Sequence, residues 1–151
     1  MNTFIFTATF ILLSTVVNQG ISNPAIGFSA ILSQNTYLEN DHAIVYDNVV
    51  TNFRNGYNRW SGHFAAPRKG LYVFTCSVRA NSKVGITVVI VHNGRPVLRI
   101  ASSVYSPETG SGSVTLILKK GDNVWVKRLG HGRHIEKHYN YFSGYLISAE
   151  I

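Results

Sequence analysis

Residues Tyr46 to Phe74 read YDNVVTNFRNGYNRWSGHFAAPRKGLYVF. Phe64, Tyr72 and Phe74 carry enough apolar area to fill a sandwich interior. Tyr72 and Phe74 alternate with Leu71 and Val73, the period of a strand that buries one face. Pro67 is expected to fix the approach to that strand and Gly70 to allow a tight turn into it. The same alternation runs on through Cys76 and Val78, which puts the thiol on the apolar face as a small buried hydrophobe. Cys76 is the only cysteine, so an internal disulfide is excluded. An interchain bridge or a reactive thiol is the competing reading.

The chain on either side of this stretch reads as strands. Val84 to Val91 (VGITVVIV) is rich in β-branched residues. Asn93-Gly94 follows, the strongest two-residue hairpin signal, and predicts a return over Val97 to Ala101. Pro96 beside the turn marks a strand start or an edge. A second hairpin is expected from Ser113–Leu118, a turn at Lys119-Lys120-Gly121-Asp122, and a strand holding Val124 and Val126. Ser106 to Gly112 (SPETGSG) is a loop by composition. Tyr141 to Ser148 is the last strand. No segment keeps a 3.6-residue period, and there is neither a Gly-X-Y repeat nor a heptad run. Many short strands with frequent turns mean an all-β sandwich or barrel.

Of the 151 residues, 45% are hydrophobic and 14% charged, which suits one packed domain and excludes disorder. Phe4 to Val17 is apolar or small and uncharged, and shorter than the roughly 20 residues of a membrane span. Residues 1–22 are therefore expected to be an export signal, with 23–151 the mature domain, secreted and without stable membrane insertion. There is no Asn-x-Ser/Thr sequon. Residues 1–53 contain Glu39, Asp41 and Asp47 but no Lys or Arg, yet the formal charge is +7. Such a balance favours anionic partners. Outside the cell these are acidic sugars, bacterial surface polymers and anionic lipid headgroups, not nucleic acid.

The spacing of Tyr46, Asn52, Tyr57, Phe64, Gly70, Tyr72 and Phe74 resembles the signature of the complement component 1q globular domain. Phe28-Ser29-Ala30, Gly121-Asp122-x-Val124 and Phe142-Ser143-Gly144-Tyr145-Leu146 resemble its flanking features. The resemblance covers about residues 26–151. Tyr46 stands where Phe is usual, and Cys76 where an aromatic is usual. The first adds a hydroxyl that needs a partner if buried; the second leaves less bulk in the core. The resemblance implies a jelly-roll β-sandwich of about ten strands, related to tumour necrosis factor ligands, with neighbouring termini. It also implies a compact homotrimer. Stalkless secreted members of the family look like recognition proteins of innate immunity that bind microbial surface sugars. Most signature residues read as scaffold, so ligand contacts are expected outside them.

No catalytic arrangement appears: there is no Gly-x-Ser-x-Gly elbow, phosphate loop or His-Glu-x-x-His, and the sequence reads as a binding protein, not an enzyme. The expected ligand contacts are basic and aromatic. Arg59 and Trp60 lie in a polar stretch. Trp125 and Lys127 alternate away from Val124 and Val126, so they face outward or toward a neighbouring subunit. Arg128, Arg133 and Lys137 follow. Arginine holds carboxylates bidentately, and aromatics stack on sugar faces. Interface packing for Trp125 and a solvated face for the cations are the competing reading. His131, His134 and His138, with Glu136 between them, are residue types that ligate zinc or copper, and Gly130 and Gly132 suggest a loop able to wrap an ion. Sparse acidic residues speak against calcium. The leading reading is lectin-like binding of microbial or acidic glycans. The alternatives are a cell-surface receptor ligand, or a metal- or mineral-associated protein using the histidine loop.

Overall fold

The computed structural model describes residues 25–80, 84–103, 108–149 and 151; the expected leader, 1–22, lies outside the described residues. The strands in chain order are β1 (Gly27–Ile31), β2 (Thr36–Leu38), β3 (Asn48–Phe53), β4 (Tyr57–Asn58), β5 (His63–Ala65) and β6 (Gly70–Val78). They continue with β7 (Ile86–His92), β8 (Arg95–Ser102), β9 (Gly110–Leu118), β10 (Asn123–Leu129), β11 (Arg133–Ile135) and β12 (Tyr141–Ser148). A single 3-10 turn, Lys137–Tyr139, separates the last two.

Two five-stranded sheets face each other. The first has the order β3-β1-β12-β6-β9 and the second β4-β5-β10-β7-β8, while β11 and β2 form a small pair of their own. This is the expected ten-stranded jelly roll. Gly27 lies opposite Tyr145 in antiparallel β1 and β12, so the two ends of the domain are neighbours.

Aromatic rings fill the space between the sheets. Phe28 stacks on Tyr57 at 4.7 Å between ring centres and meets Phe64 at 5.2 Å and Phe142 edge-on at 4.9 Å. Phe74 lies 5.3 Å from Phe64 and 6.0 Å from Phe142. Offset and edge-to-face pairs of this kind add to the area they bury. Cys76 and Val78 are fully buried beside them, as the alternation from Tyr72 requires.

The signature's polar members hold the frame. Asn52 accepts from the Tyr57 amide at 3.0 Å and donates to the Tyr57 carbonyl at 2.7 Å. The Tyr57 hydroxyl donates to the Tyr46 carbonyl at 3.0 Å and accepts from the Tyr46 amide at 3.1 Å. Gly70 does not serve a turn. A Cβ there would strike the Leu146 side chain and come within 2.7 Å of the Ser148 carbonyl; the glycine is needed because β12 passes so close to β6.

The Asn93-Gly94 hairpin forms as expected, with φ of 48° and 85° at its two central residues, and Pro96 lies in β8 at the sheet's edge. The second expected hairpin does not form. The turn at Lys119–Asp122 exists, with the Asp122 amide donating to the Lys119 carbonyl at 3.1 Å, but β9 pairs with β6 while β10 pairs with β5 and β7. The turn carries the chain from one sheet to the other. Alternation shows which face of a strand is buried, not which strand lies beside it. The Ser106–Gly112 segment also differs from expectation at its end. Gly110 to Gly112 are paired strand, and Gly110 has no room for a Cβ beside the Ala101 backbone. These glycines record close packing between the sheets.

Candidate functional site: the outer face of the second sheet

Strand alternation puts Val124 and Val126 of β10 in the core, both fully buried, and turns Trp125 and Lys127 to the opposite face. Trp125 stacks on His63 of β5, with ring centres 4.4 Å apart and planes 7° from parallel. Burial lowers the His63 pKa, so the imidazole is neutral at physiological pH and the pair is an uncharged, half-buried aromatic shelf. Trp125 lies opposite Val91, and Lys127 opposite Val89. On the far side of β7, Val89 lies opposite Arg99. Lys127, Val89 and Arg99 therefore form a row across three strands, next to the shelf.

The two cations of that row differ. Lys127 Nζ is 2.5 Å from Asp41 Oδ1, which neutralises it and ties the segment before β3 to β10. Arg99 is exposed and has no carboxylate partner among the described residues. Sequence reasoning missed both His63 and Arg99. The signal was present: each neighbours core residues in a strand, Phe64 for one and Leu98 and Ile100 for the other, so each must face outward.

Arg59 and Trp60 sit on the turn between β4 and β5. Asn58 Oδ1 accepts from the Trp60 amide at 2.8 Å and the Ser61 amide at 3.2 Å, and the Gly62 amide donates to the Asn58 carbonyl at 2.9 Å. This clamp leaves Trp60 83% exposed, with the Arg59 guanidinium 5.3 Å from its ring. The pair is a cation–aromatic contact displayed to solvent.

The remaining expected residues lie elsewhere. Arg128 is 3% exposed and donates to the Thr87 carbonyl at 2.8 Å and the His131 carbonyl at 2.6 Å. Burial, with Arg133 nearby, lowers its pKa. It ties the turn after β10 to β7 and is not placed to meet a ligand. Arg133 is in β11 and Lys137 in the 3-10 turn. Arg133 Nη1 donates to the Gly132 carbonyl at 2.8 Å, and the Lys137 amide donates to Asn35 Oδ1 at 3.1 Å. Neither lies in the second sheet: Arg133 belongs to the β11–β2 pair and Lys137 to the 3-10 turn that follows it.

The three histidines of the expected metal loop stand apart from one another. Among the described residues no three His, Cys, Asp or Glu side chains gather around a point that could hold an ion. His131 is in the turn before β11, His134 is in β11 against the Tyr37 ring at 4.9 Å, and His138 is in the 3-10 turn. Pairing with β2 keeps the backbone extended, which spreads the histidines instead of wrapping them. The expected zinc or copper ligands His131, His134 and His138 are thus not gathered into one cluster among the described residues.

Two facing five-stranded antiparallel sheets closed over an aromatic core define a jelly-roll domain of the complement and tumour necrosis factor type. The C1q domain model matches residues 27–147, and the chain belongs to that family. It is similar to human complement C1q tumor necrosis factor-related protein 3, at 33% identity, with 82% of this chain and 52% of that protein covered. It is also similar to mouse (Mus musculus) complement C1q tumor necrosis factor-related protein 6, at 34% identity, with 74% of this chain and 45% of that protein covered. The chain thus spans about half the length of these relatives. Among solved structures, the globular domain of zebrafish complement 1qA matches with a TM-score of 0.68 at 17% identity, covering 83% of this chain and 99% of that one. Eiger TNF from S. frugiperda matches with a TM-score of 0.70 at 17% identity, covering 85% and 95%. Among the described residues no helix is long and apolar enough to cross a membrane.

Proposed function

We propose that the chain is a secreted, trimeric, lectin-like recognition protein that binds acidic glycans on microbial surfaces. The observation that carries this reading is the aromatic and cationic display on the second sheet. The His63–Trp125 shelf offers a flat, neutral stacking face. Arg99 stands two strands from it without a counter-charge among the described residues, and Trp60 with Arg59 protrudes from the adjoining turn. A sugar ring on the shelf with its carboxylate or sulfate toward Arg99 uses both features. Binding is the proposed activity, and no catalysis is assigned.

Trimer formation is supported by the other sheet. Its outward face carries Phe53, Tyr145 and Ile117 at 55%, 58% and 63% exposure. A face of that kind is apolar enough to be an interface between copies. Three copies would present three shelves, raising avidity with no new contact.

A glycan array, with lipopolysaccharide included, tests the ligand class. Binding should favour uronic-acid or sulfated sugars and fall about tenfold, roughly 1.4 kcal/mol, in Trp125→Ala and again in Arg99→Gln. An array with no acidic-glycan signal removes the reading. Capture of a cell-surface receptor that survives glycosidase treatment would replace it with the receptor-ligand alternative.

A further inference from the structure

A cleft of about 330 Å³ is lined by Ile26, Arg54, Pro67 and Arg68 and shares none of these residues with the shelf. That volume is within the range of small-ligand sites. Ile26 is buried in its floor, its carbonyl accepting from the Leu146 amide at 2.9 Å. Arg54 and Arg68 are exposed. The ion pairs among the described residues are His42–Glu39, Arg79–Glu136, His92–Asp122 and Lys127–Asp41, so neither guanidinium has a carboxylate partner there.

The backbone singles out Arg54. Its φ is 71°, followed by 52° at Asn55. Asparagine tolerates that left-handed region, but a long side chain is disfavoured there. Gly56 stands two residues further on, so a glycine is present in this turn without being used for its most strained position. The conformation is held by Asn52, whose carbonyl accepts from the Asn55 amide at 3.3 Å while its side chain grips both backbone groups of Tyr57. The Arg54 guanidinium lies 5.7 Å from the Phe53 ring, which limits its reach. Arg68 is anchored by its carbonyl, which accepts from the Tyr72 hydroxyl at 2.9 Å. Strain maintained by its surroundings marks functional positions. Arg54 and Arg68 line one cleft together with the apolar side chains of Ile26 and Pro67.

We propose that this cleft is an oxyanion site that takes the carboxylate of an acidic saccharide between Arg54 and Arg68, with the sugar ring lying on Ile26 and Pro67. Two guanidiniums without a carboxylate partner among the described residues supply charge-assisted, bidentate donors, and the floor supplies a surface for the ring. The site stands apart from the shelf, so either can fail without the other.

Amide-resolved NMR titration of the ¹⁵N-labelled protein with sodium glucuronate, glucose and inorganic sulfate tests it. Glucuronate should shift the amides of Phe53 to Tyr57 and Arg68 to Gly70 saturably, and glucose should not. Arg54→Gly and Arg68→Gln should each weaken glucuronate binding at least tenfold. Arg54→Gly should also melt at or above the wild-type temperature, because glycine adopts a positive φ without strain; loss of binding in a variant no less stable separates a ligand role from a folding role. No saturable shift with glucuronate, or unchanged affinity in both variants, would overturn the proposal. Tighter binding of sulfate than of glucuronate would overturn the saccharide assignment in favour of a free inorganic anion. Neither result bears on the shelf, which Trp125→Ala and Arg99→Gln report separately.

Discussion

At the scale of single residues, the two departures from the family signature fall in one place. Tyr46 and Cys76 are both fully buried, and both flank Phe142: its ring centre is 6.0 Å from that of Tyr46, and its backbone lies opposite Cys76. Burial, with Cys76 and Tyr57 nearby, raises the Tyr46 pKa well above its usual value, and burial pushes the Cys76 thiol up to about 12. The Tyr46 hydroxyl has no hydrogen-bond partner of normal geometry, so the thiol is left as its weak polar neighbour. A residue smaller than an aromatic ring at 76 leaves space for the oxygen that Phe at 46 would lack. Removing an unsatisfied buried hydroxyl recovers its desolvation cost. Tyr46→Phe should therefore raise unfolding stability by about 1 kcal/mol in urea titrations. A loss of stability on that change would mean that the hydroxyl is properly bonded. The burial of Cys76 was legible from alternation alone. Its proximity to Tyr46 was not, because Tyr46 lies in the segment before β3 and Cys76 in β6, and sequence carries no register between them.

At the scale of elements, the turns show where sequence reading reached its limit. Composition located the Asn93-Gly94 and Lys119–Asp122 turns, but not that one knot joins them. Asp122 Oδ1 accepts from Asn93 Nδ2 at 2.9 Å, and its Oδ2 accepts from the Lys119 amide at 2.9 Å and lies 3.1 Å from His92 Nε2. The Asn93 amide donates to the Asn123 carbonyl at 2.9 Å, and Ala66 exchanges hydrogen bonds with Gly121 and Asp122, both at 2.8 Å. The knot lets β9 and β10 sit in different sheets while their turn stays rigid. The Asn93, Lys119 and His92 bonds lower the Asp122 pKa from 3.8 to about 2. A carboxylate whose pKa is depressed on folding contributes stability that is complete above its unfolded value and is lost as pH falls through the folded one. The contribution of Asp122 should thus be present from about pH 5 upward and disappear between about pH 4 and pH 2. Asp122→Asn, which turns a donor toward donors, should cost about 1–2 kcal/mol at neutral pH. Its urea midpoint should converge on that of the wild type as the solution is acidified. A gap that stays constant down to pH 2 would show that the charge is not involved. The outer face of the second sheet was half legible in the same sense. Alternation turned Trp125 and Lys127 outward, but their partners in the candidate site, His63 and Asp41, come from β5 and from the segment before β3.

At the scale of the whole molecule, the two sheets divide the surface into faces of different character. The second sheet displays cations and an aromatic shelf. The first sheet displays a row that runs from Phe53 through Gly27, Tyr145 and Val73 to Thr115 across all five strands. Tyr145 stands at the centre of that row on β12 and is 58% exposed. Its neighbour Gly27 has only 3.2 Å from a built Cβ to the Tyr145 Cβ, so the ring stands over a bare stretch of β1 backbone. An exposed tyrosine contributes little to the folding of its own chain, and replacing it should change monomer stability by less than about 0.5 kcal/mol. In a trimer closed over this face the same residue is brought near its copies, and tyrosines in such positions carry much of an interface's energy. Tyr145→Glu should therefore separate the two roles. Its circular dichroism and urea midpoint should match the wild type at concentrations where both are dissociated. Sedimentation equilibrium at higher concentration should show a trimer for the wild type and a monomer for the variant, because three carboxylates in one apolar contact repel and must be desolvated. A wild-type chain that sediments as a monomer would remove the trimer, and with it the avidity on which the proposed glycan recognition draws. A variant that stays trimeric would move the interface off this sheet while leaving the shelf of His63 and Trp125 free to bind.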